Sequence, residues 1–441
     1  MSDIHVTREI LRAVAHGDIH LHVLLDVGYQ HLSALCPTCR EEILAWSREQ
    51  ADLTESQRLL SVVPPLLERH SSAIAAERAA ARRDLLELLR LPHSDRLTRI
   101  RRARDRFRST ALAALLLEES REKMPTDFQA VHELAETALA VLRHTPASLS
   151  HGELMVRAVS YMGNAERATG RLQEARSRFE FARSLVRFEG VTESLALSEL
   201  DWFEGALAMD QRRFRNAEHL LSRAIVLSLL AGGPPLAARP MLTLGTMYYN
   251  RGEHGKAIEV TQLAVGLLPG DQDALFYLSC RHNLAVYLCE AGRCHEAAET
   301  LEQDEPLYAR FREPFIQLRL LWVQGKVASG LEQADAAEQA FIQARDGFLQ
   351  QGNGYDAAMV SLDLALLLAR QGRSGELLRV AEEMHPVFEA QDVHREAVAA
   401  LLLFQKAVRD QAITIEGLED LIRYLRSARR DPSFRFVPQP G

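Results

Sequence analysis

Lysine is scarce in this chain. Of 52 positively charged residues among 441, only Lys123, Lys256, Lys326 and Lys406 are not arginine, and 60 acidic residues outweigh them to a formal net charge of −8. No overall basic field is available to draw in nucleic acid. Aromatic residues make up only 6%, and 24 glycines with 16 prolines are too few for a chain built of short strands and turns. The longest apolar runs, Ala111 to Leu117 and Ala397 to Phe404, fall far short of the ~20 residues needed to span a bilayer. Five cysteines do not make a disulfide framework. The opening Met1-Ser2-Asp3-Ile4-His5-Val6 has no basic stretch leading into an apolar one, so the expectation is an unexported, cytoplasmic protein with reduced thiols. Also missing are a Gly-x-x-x-x-Gly-Lys-Ser/Thr phosphate loop, a Gly-x-Ser-x-Gly elbow and a His-Glu-x-x-His zinc motif, so catalysis is not expected.

What the chain does have is apolar residues at 47%, mostly alanine and leucine, and a repeat. A small residue on one helix is followed twelve residues later by Ala and sixteen to nineteen later by a further pair. The series are Gly163, Ala175, Phe179, Ala182; Gly205, Ala217, Leu221, Ala224; Gly245, Ala257, Thr261, Ala264; Ala285, Ala297, Leu301; Gly325, Ala337, Phe341, Ala344; and a degraded Ala365, Leu377, Ala381. Their first members are 42, 40, 40, 40 and 40 residues apart. A small residue at a crossing lets two helix backbones approach, while the residues facing it fill the groove between i and i+4 ridges. Each unit therefore reads as a helical hairpin. Gly170, Gly252, Gly292 and Gly372 stand where the first helix must end, the place for a left-handed cap.

These residues resemble the tetratricopeptide repeat (TPR), whose two helices carry Gly, Ala, an aromatic and Ala in that order. The resemblance runs from about Glu153 to Val387, with a period of 40 in place of the usual 34. It is similar to the longer-helix variant of bacterial regulators and of cargo or polarity adaptors. It implies an all-α, right-handed superhelical solenoid that binds a protein or peptide on its concave face. The boundaries expected are a helical head at 1–50, a connector with a basic segment at 51–110, a degenerate first hairpin at 111–150, about six repeats at 151–390, capping helices at 391–430 and an extended tail at 431–441.

The head holds the densest chemistry. His5, His16, His20, His22 and His31 lie close to the pair Cys36 and Cys39. Two thiolates separated by two residues, with imidazoles nearby, suit tetrahedral Zn²⁺. With His31, Cys36 and Cys39 as three ligands, the fourth comes from His5, His16, His20 or His22. Residues 1–50 resemble the zinc-binding anti-sigma domain, whose pattern is His-x₃-Cys-x₂-Cys with a ligand one helix upstream. That resemblance implies His31, Cys36, Cys39 and His5 as the metal set. It departs in having four residues between His31 and Cys36, and an added residue rotates a helical ligand by about 100°. A closed shell of this kind is structural and staples a head too small to hold together alone. The alternative functions it implies are an anti-sigma-like regulator gripping a sigma factor, or a redox sensor whose thiolates release the metal on oxidation.

Seven arginines between Arg96 and Arg108 face one acid, Asp105, and read as a basic helix. With no aromatic or glycine-rich accompaniment, the reading preferred over nucleic-acid binding is a solvated face neutralised by acidic neighbours. On the first helices of the array, the repeat register points to Arg157, Asn164 and Arg167; Trp202 and Met209; Arg239, Tyr249 and Asn250; His282 and Glu290; Arg319, Trp322 and Lys326. Trp, Tyr and Arg anchor interfaces, and Asn can pair with an extended backbone. Glu290 being the sole acid among them, the groove is expected to take carboxylates. Trp202 and Trp322 can equally serve packing between repeats. His282 and Cys289, two turns apart, make a weaker second metal candidate beside Cys280, Cys294 and His295.

Overall fold

A computed structural model describes residues 66–390, apart from 104–105, 125, 147–149 and 269–272, together with 415 and 417–419. The head with its metal candidates lies outside the described residues. So do the tail and most of the expected capping segment. Every element among the described residues is helical.

The chain divides into two compact units, one up to Leu244 and one from Gly245 onward. The first contains α1 (Leu66–Leu89), α2 (His93–Arg102), α3 (Thr110–Lys123), α4 (Phe128–Arg143), α5 (His151–Ala168), α6 (Leu172–Glu189), α7 (Ser194–Asp210) and α8 (Phe214–Ala231). The boundary falls inside α9 (Pro234–Asn250). The second unit continues with α10 (His254–Leu267), α11 (Ala274–Glu290), α12 (Cys294–Tyr308), α13 (Pro314–Gly330), α14 (Ala334–Gln350), α15 (Gly354–Arg370) and α16 (Ser374–Ala390). Within each unit sequential helices pack as hairpins, and first helices also touch the first helix of the next hairpin: α5 on α7, α11 on α13, α13 on α15. This is an array of TPR-like hairpins.

The small-to-large pairing read from the sequence is the crossing itself. A Cβ added at Gly163 would lie 2.8 Å from the Phe179 ring, at Gly205 2.9 Å from Leu221, at Gly245 2.6 Å from Thr261 and at Gly325 2.7 Å from Phe341. Ala175, Ala217, Ala257, Ala297 and Ala337 are wholly buried, and the series expected to be degraded buries Ala365, Leu377 and Ala381 just as completely. Some helix starts use side-chain caps: Asp127 accepts from the Ala130 amide, Asp273 from Phe276 and Asn353 from Asp356.

The ends of the first helices follow one device. Gly170, Gly252, Gly292 and Gly372 have φ between +71° and +81°. At each, the following amide reaches back five residues, as Arg293 N does to the Leu288 carbonyl at 2.8 Å. In the two remaining repeats the same left-handed position is held by Arg212 (φ +56°) and Glu332 (φ +61°), residues with a Cβ to accommodate.

The basic stretch is not one helix. α2 stops at Arg102, Ala103 is extended, and Phe107 turns left-handed (φ +61°) with its ring buried. The arginines around it close down on α1: Arg99 and Arg106 bind Glu87, Arg106 also binds Asp84, and Arg96 Nε donates to the carbonyls of Leu88 and Leu91. Arg106 lies 4.7 Å over the Phe107 ring. Burying one aromatic overrode the helical periodicity of the charges. The acidic neighbours expected to neutralise the stretch are Asp84 and Glu87.

Candidate functional site

In the first unit the first helices are tied together by a polar ladder between residues about one repeat apart. Arg157 on α5 donates to Glu199 on α7 at 2.7 Å, and the Tyr161 hydroxyl donates to the same carboxylate at 2.7 Å. Burial, with the Glu199 charge beside it, pushes the Tyr161 hydroxyl above its ordinary range. Arg167 binds Asp210 at 2.6 Å and also Asn164, which is buried. Trp202 donates its indole N–H to Thr243 Oγ1 at 2.8 Å and lies tilted against Phe203 with ring centroids 4.6 Å apart. Arg239, half-buried, lines a narrow cleft with Trp202 and Glu199. Met209 is buried.

The second unit repeats the ladder and adds a cavity. Trp322 on α13 donates to Asp363 on α15 at 2.7 Å. Both tryptophans thus tie neighbouring repeats together. Lys326, one turn along α13, donates to Glu290 on α11 at 2.9 Å and to Asp363 at 3.1 Å. Three of the cations expected to give the face a positive field are neutralised: Arg157, Arg167 and Lys326 each carry a carboxylate from the neighbouring repeat. What faces outward is charge of both signs.

The cavity holds about 510 Å³ and is lined by the last residues of four first helices, Asn250, Glu290, Gly330 and Arg370, each forty residues from the next. Lys326, Asp363 and Glu419 add charge, with Arg370 bound to Glu419 at 3.1 Å. Helix C-termini carry partial negative charge, which Lys326 and Arg370 complement. Tyr249 forms an aromatic wall, stacked on Tyr287 at 4.9 Å and tilted against His254 at 5.6 Å. His254 Nδ1 is buried there with no hydrogen-bond partner among the described residues. Cys289 and Cys294 flank the turn between α11 and α12 at the same wall, and burial, then the neighbouring Cys294, pushes the Cys289 thiol up, away from a reactive thiolate.

Of the residues named from the sequence, the structure brings Tyr249, Asn250, Glu290 and Lys326 to this cavity, with Trp322 bound to its wall. It turns His282 elsewhere: the ring is buried and its Nδ1 meets the Tyr308 hydroxyl at 2.8 Å. Burial, and then the Arg319 charge, hold His282 well below the ordinary histidine range. Its partner is a tyrosine and not a cysteine, and among the described residues no three His, Cys, Asp or Glu side chains are arranged to hold a metal ion. Arg319 is exposed, 6.0 Å over the Phe315 ring. Sequence reading missed His254, Asp363 and Arg370. The signal for Asp363 and Arg370 was the period: Trp322 plus 41 gives Asp363, and Asn250 plus three periods gives Arg370.

No protein-family model matches the chain, and no curated protein matches its sequence. Among solved structures it resembles a Rap protein in complex with competence and sporulation factor, with a TM-score of 0.57 at 13% identity, covering 73% of this chain and 92% of that one. It also resembles the apo form of RapI, with a TM-score of 0.52 at 12% identity, covering 68% and 85%. At such identities the likeness is one of fold: the same kind of helical-repeat array. Among the described residues no helix is long and apolar enough to cross a membrane.

Proposed function

We propose that the chain is a protein-interaction adaptor or regulator that binds a segment of a partner protein, or a peptide, without catalysing a reaction on it. One observation carries this reading: four first-helix ends enclose a cavity of about 510 Å³ that offers an aromatic wall, the Asn250 amide and charges of both signs. A cavity of that size and chemistry takes a few side chains of a partner while its polar groups fix their orientation. Lys326 is held in place by Glu290 and Asp363, so the site is pre-organised and binding costs little reordering. The Rap protein named above was solved bound to competence and sporulation factor, which favours a bound segment here too.

Affinity capture from the native cell with wild type and with Tyr249→Ala/Asn250→Ala tests it. The expected result is a partner recovered by wild type and lost with the double variant. Equal recovery, with the variant folded, refutes the cavity as the site. The zinc-stapled head belongs to the same proposal: metal analysis of freshly purified protein should give one zinc per chain, lost in Cys36→Ser, and zinc-free wild type refutes it.

A further inference from the structure

A second opening in the Gly245-onward unit lies away from that cavity, along the seam between α12 and α13. It holds about 640 Å³. Its apolar wall is Leu301 on α12 with Leu320, Val327 and Leu331 on and just beyond α13, and its rim carries Glu302 and Glu305. No lysine or arginine lines it.

The repeat shows why the seam stays open. One period later, on α14, Ile342 and Arg345 occupy the positions of Glu302 and Glu305, and the half-buried Ile342 packs against the core that α14 and α15 share. On α12 both positions are exposed carboxylates. Closing them onto Val327 and Leu331 would strip water from two charges with no partner, a cost greater than the apolar area gained. Glu299, Glu302 and Glu305 recur every third residue on one side of α12, all exposed and without an ion pair among the described residues.

We propose that this groove docks an amphipathic basic helix of a partner protein. The lining on and just past α12 runs from Ala298 to Ala309, about 16 Å of helix rise, which matches about three turns of a guest. Apolar guest residues at i, i+3/4 and i+7 meet Leu301, Leu320, Val327 and Leu331, and flanking Lys or Arg meet Glu302 and Glu305. Unneutralised acid on an apolar wall selects a basic protein helix and repels nucleic acid. This surface is separate from the Tyr249 cavity, and either can fail without the other.

The test uses the full chain and a fluorescein-labelled, helix-stabilised peptide of four turns with Leu at the anchor positions and Lys on both flanks. A twin peptide with Glu in place of Lys is the control. Fluorescence anisotropy should show saturable binding of the Lys peptide and binding at least tenfold weaker for its twin. Glu302→Lys/Glu305→Lys should weaken the Lys peptide at least tenfold, and Ala298→Trp, which fills the groove, should abolish binding. Gln324→Lys on the facing wall repeats the charge test should the α12 variants fail to fold. No binding of the Lys peptide overturns the proposal, as does binding indifferent to Ala298→Trp. A wild-type dimer in sedimentation that Ala298→Trp dissociates overturns it in favour of a second copy as the occupant.

Discussion

Glu332 and Gly292 occupy the same place in consecutive repeats, and exchanging their character measures one quantity in two directions. Both sit just past the end of a first helix with φ near +60° to +76°. For an L-residue that conformation costs about 1–2 kcal/mol, because Cβ crowds the adjoining carbonyl. The Glu332 side chain is exposed and makes no hydrogen bond or ion pair among the described residues that its removal would lose. Glu332→Gly should therefore recover the strain, less about 0.4–1 kcal/mol for the extra freedom of glycine in the unfolded chain. The net gain is about 0.5–1 kcal/mol, a rise of about 1–4 °C in Tm for a unit of this size. At Gly292 an added Cβ meets nothing within 4 Å, so Gly292→Ala changes the backbone energy alone and should lower stability by about the same amount. Thermal unfolding followed by circular dichroism reads both. If Glu332→Gly melts below wild type, or Gly292→Ala melts with it, the left-handed cap is not what ends these helices.

The crossing itself is testable with a pairing the chain already uses. Gly325→Ala should cost about 1–3 kcal/mol by overpacking against Phe341, and Gly325→Ala/Phe341→Leu, which copies Ala285 over Leu301, should recover part of it; denaturant titration checks the order. Asp201 is fully buried and pairs with the partly exposed Arg183 and Arg223, 3.3 Å from the latter, so Asp201→Ala leaves Arg223 short of this carboxylate while Arg183 keeps Glu204. A loss of about 1–3 kcal/mol is expected in urea unfolding. His282 is held neutral in the fold by burial. Its folded pKa lies below its unfolded one, so acidification protonates the unfolded chain first. Stability should then fall as pH drops below the unfolded value of about 6.5, by about 1.4 kcal/mol per pH unit until the folded pKa is reached. Urea midpoints from pH 7.5 to 5 should show this slope in wild type and lose it in His282→Gln.

The hairpins were legible in the sequence because a crossing leaves a mark that no other structure needs. A residue small enough for two backbones to touch must recur opposite one large enough to fill the gap, and Gly163 with Phe179 or Gly325 with Phe341 keep the same sixteen-residue offset. The face was legible only as a set of residue types. Arg157, Arg167 and Lys326 were visible as cations, but Glu199, Asp210 and Asp363 stand 42, 43 and 37 residues further on, so a search within one repeat pairs none of them. The basic stretch failed for a different reason. Charge periodicity carries little energy at a surface, while burying Phe107 under Arg106 carries more, and the backbone followed the ring.

Once the period is known, departures from it carry the functional information. Ala175, Ala217, Ala257, Ala297 and Ala337 are identical and fully buried, so they report only that helices cross there. Seven residues before that register position, at the last residue of the first helix, the chain places Asn250, Glu290, Gly330 and Arg370, four different chemistries around one cavity. Packing does not ask for that variety, since each hairpin ends with the same hydrogen bonds whichever residue stands there. The same comparison isolates Glu302 against Ile342, where the fold would be better served by the apolar residue. A charge kept at a position that packing would fill leaves a seam open, and the apolar wall of that seam is the surface the proposed guest helix would cover.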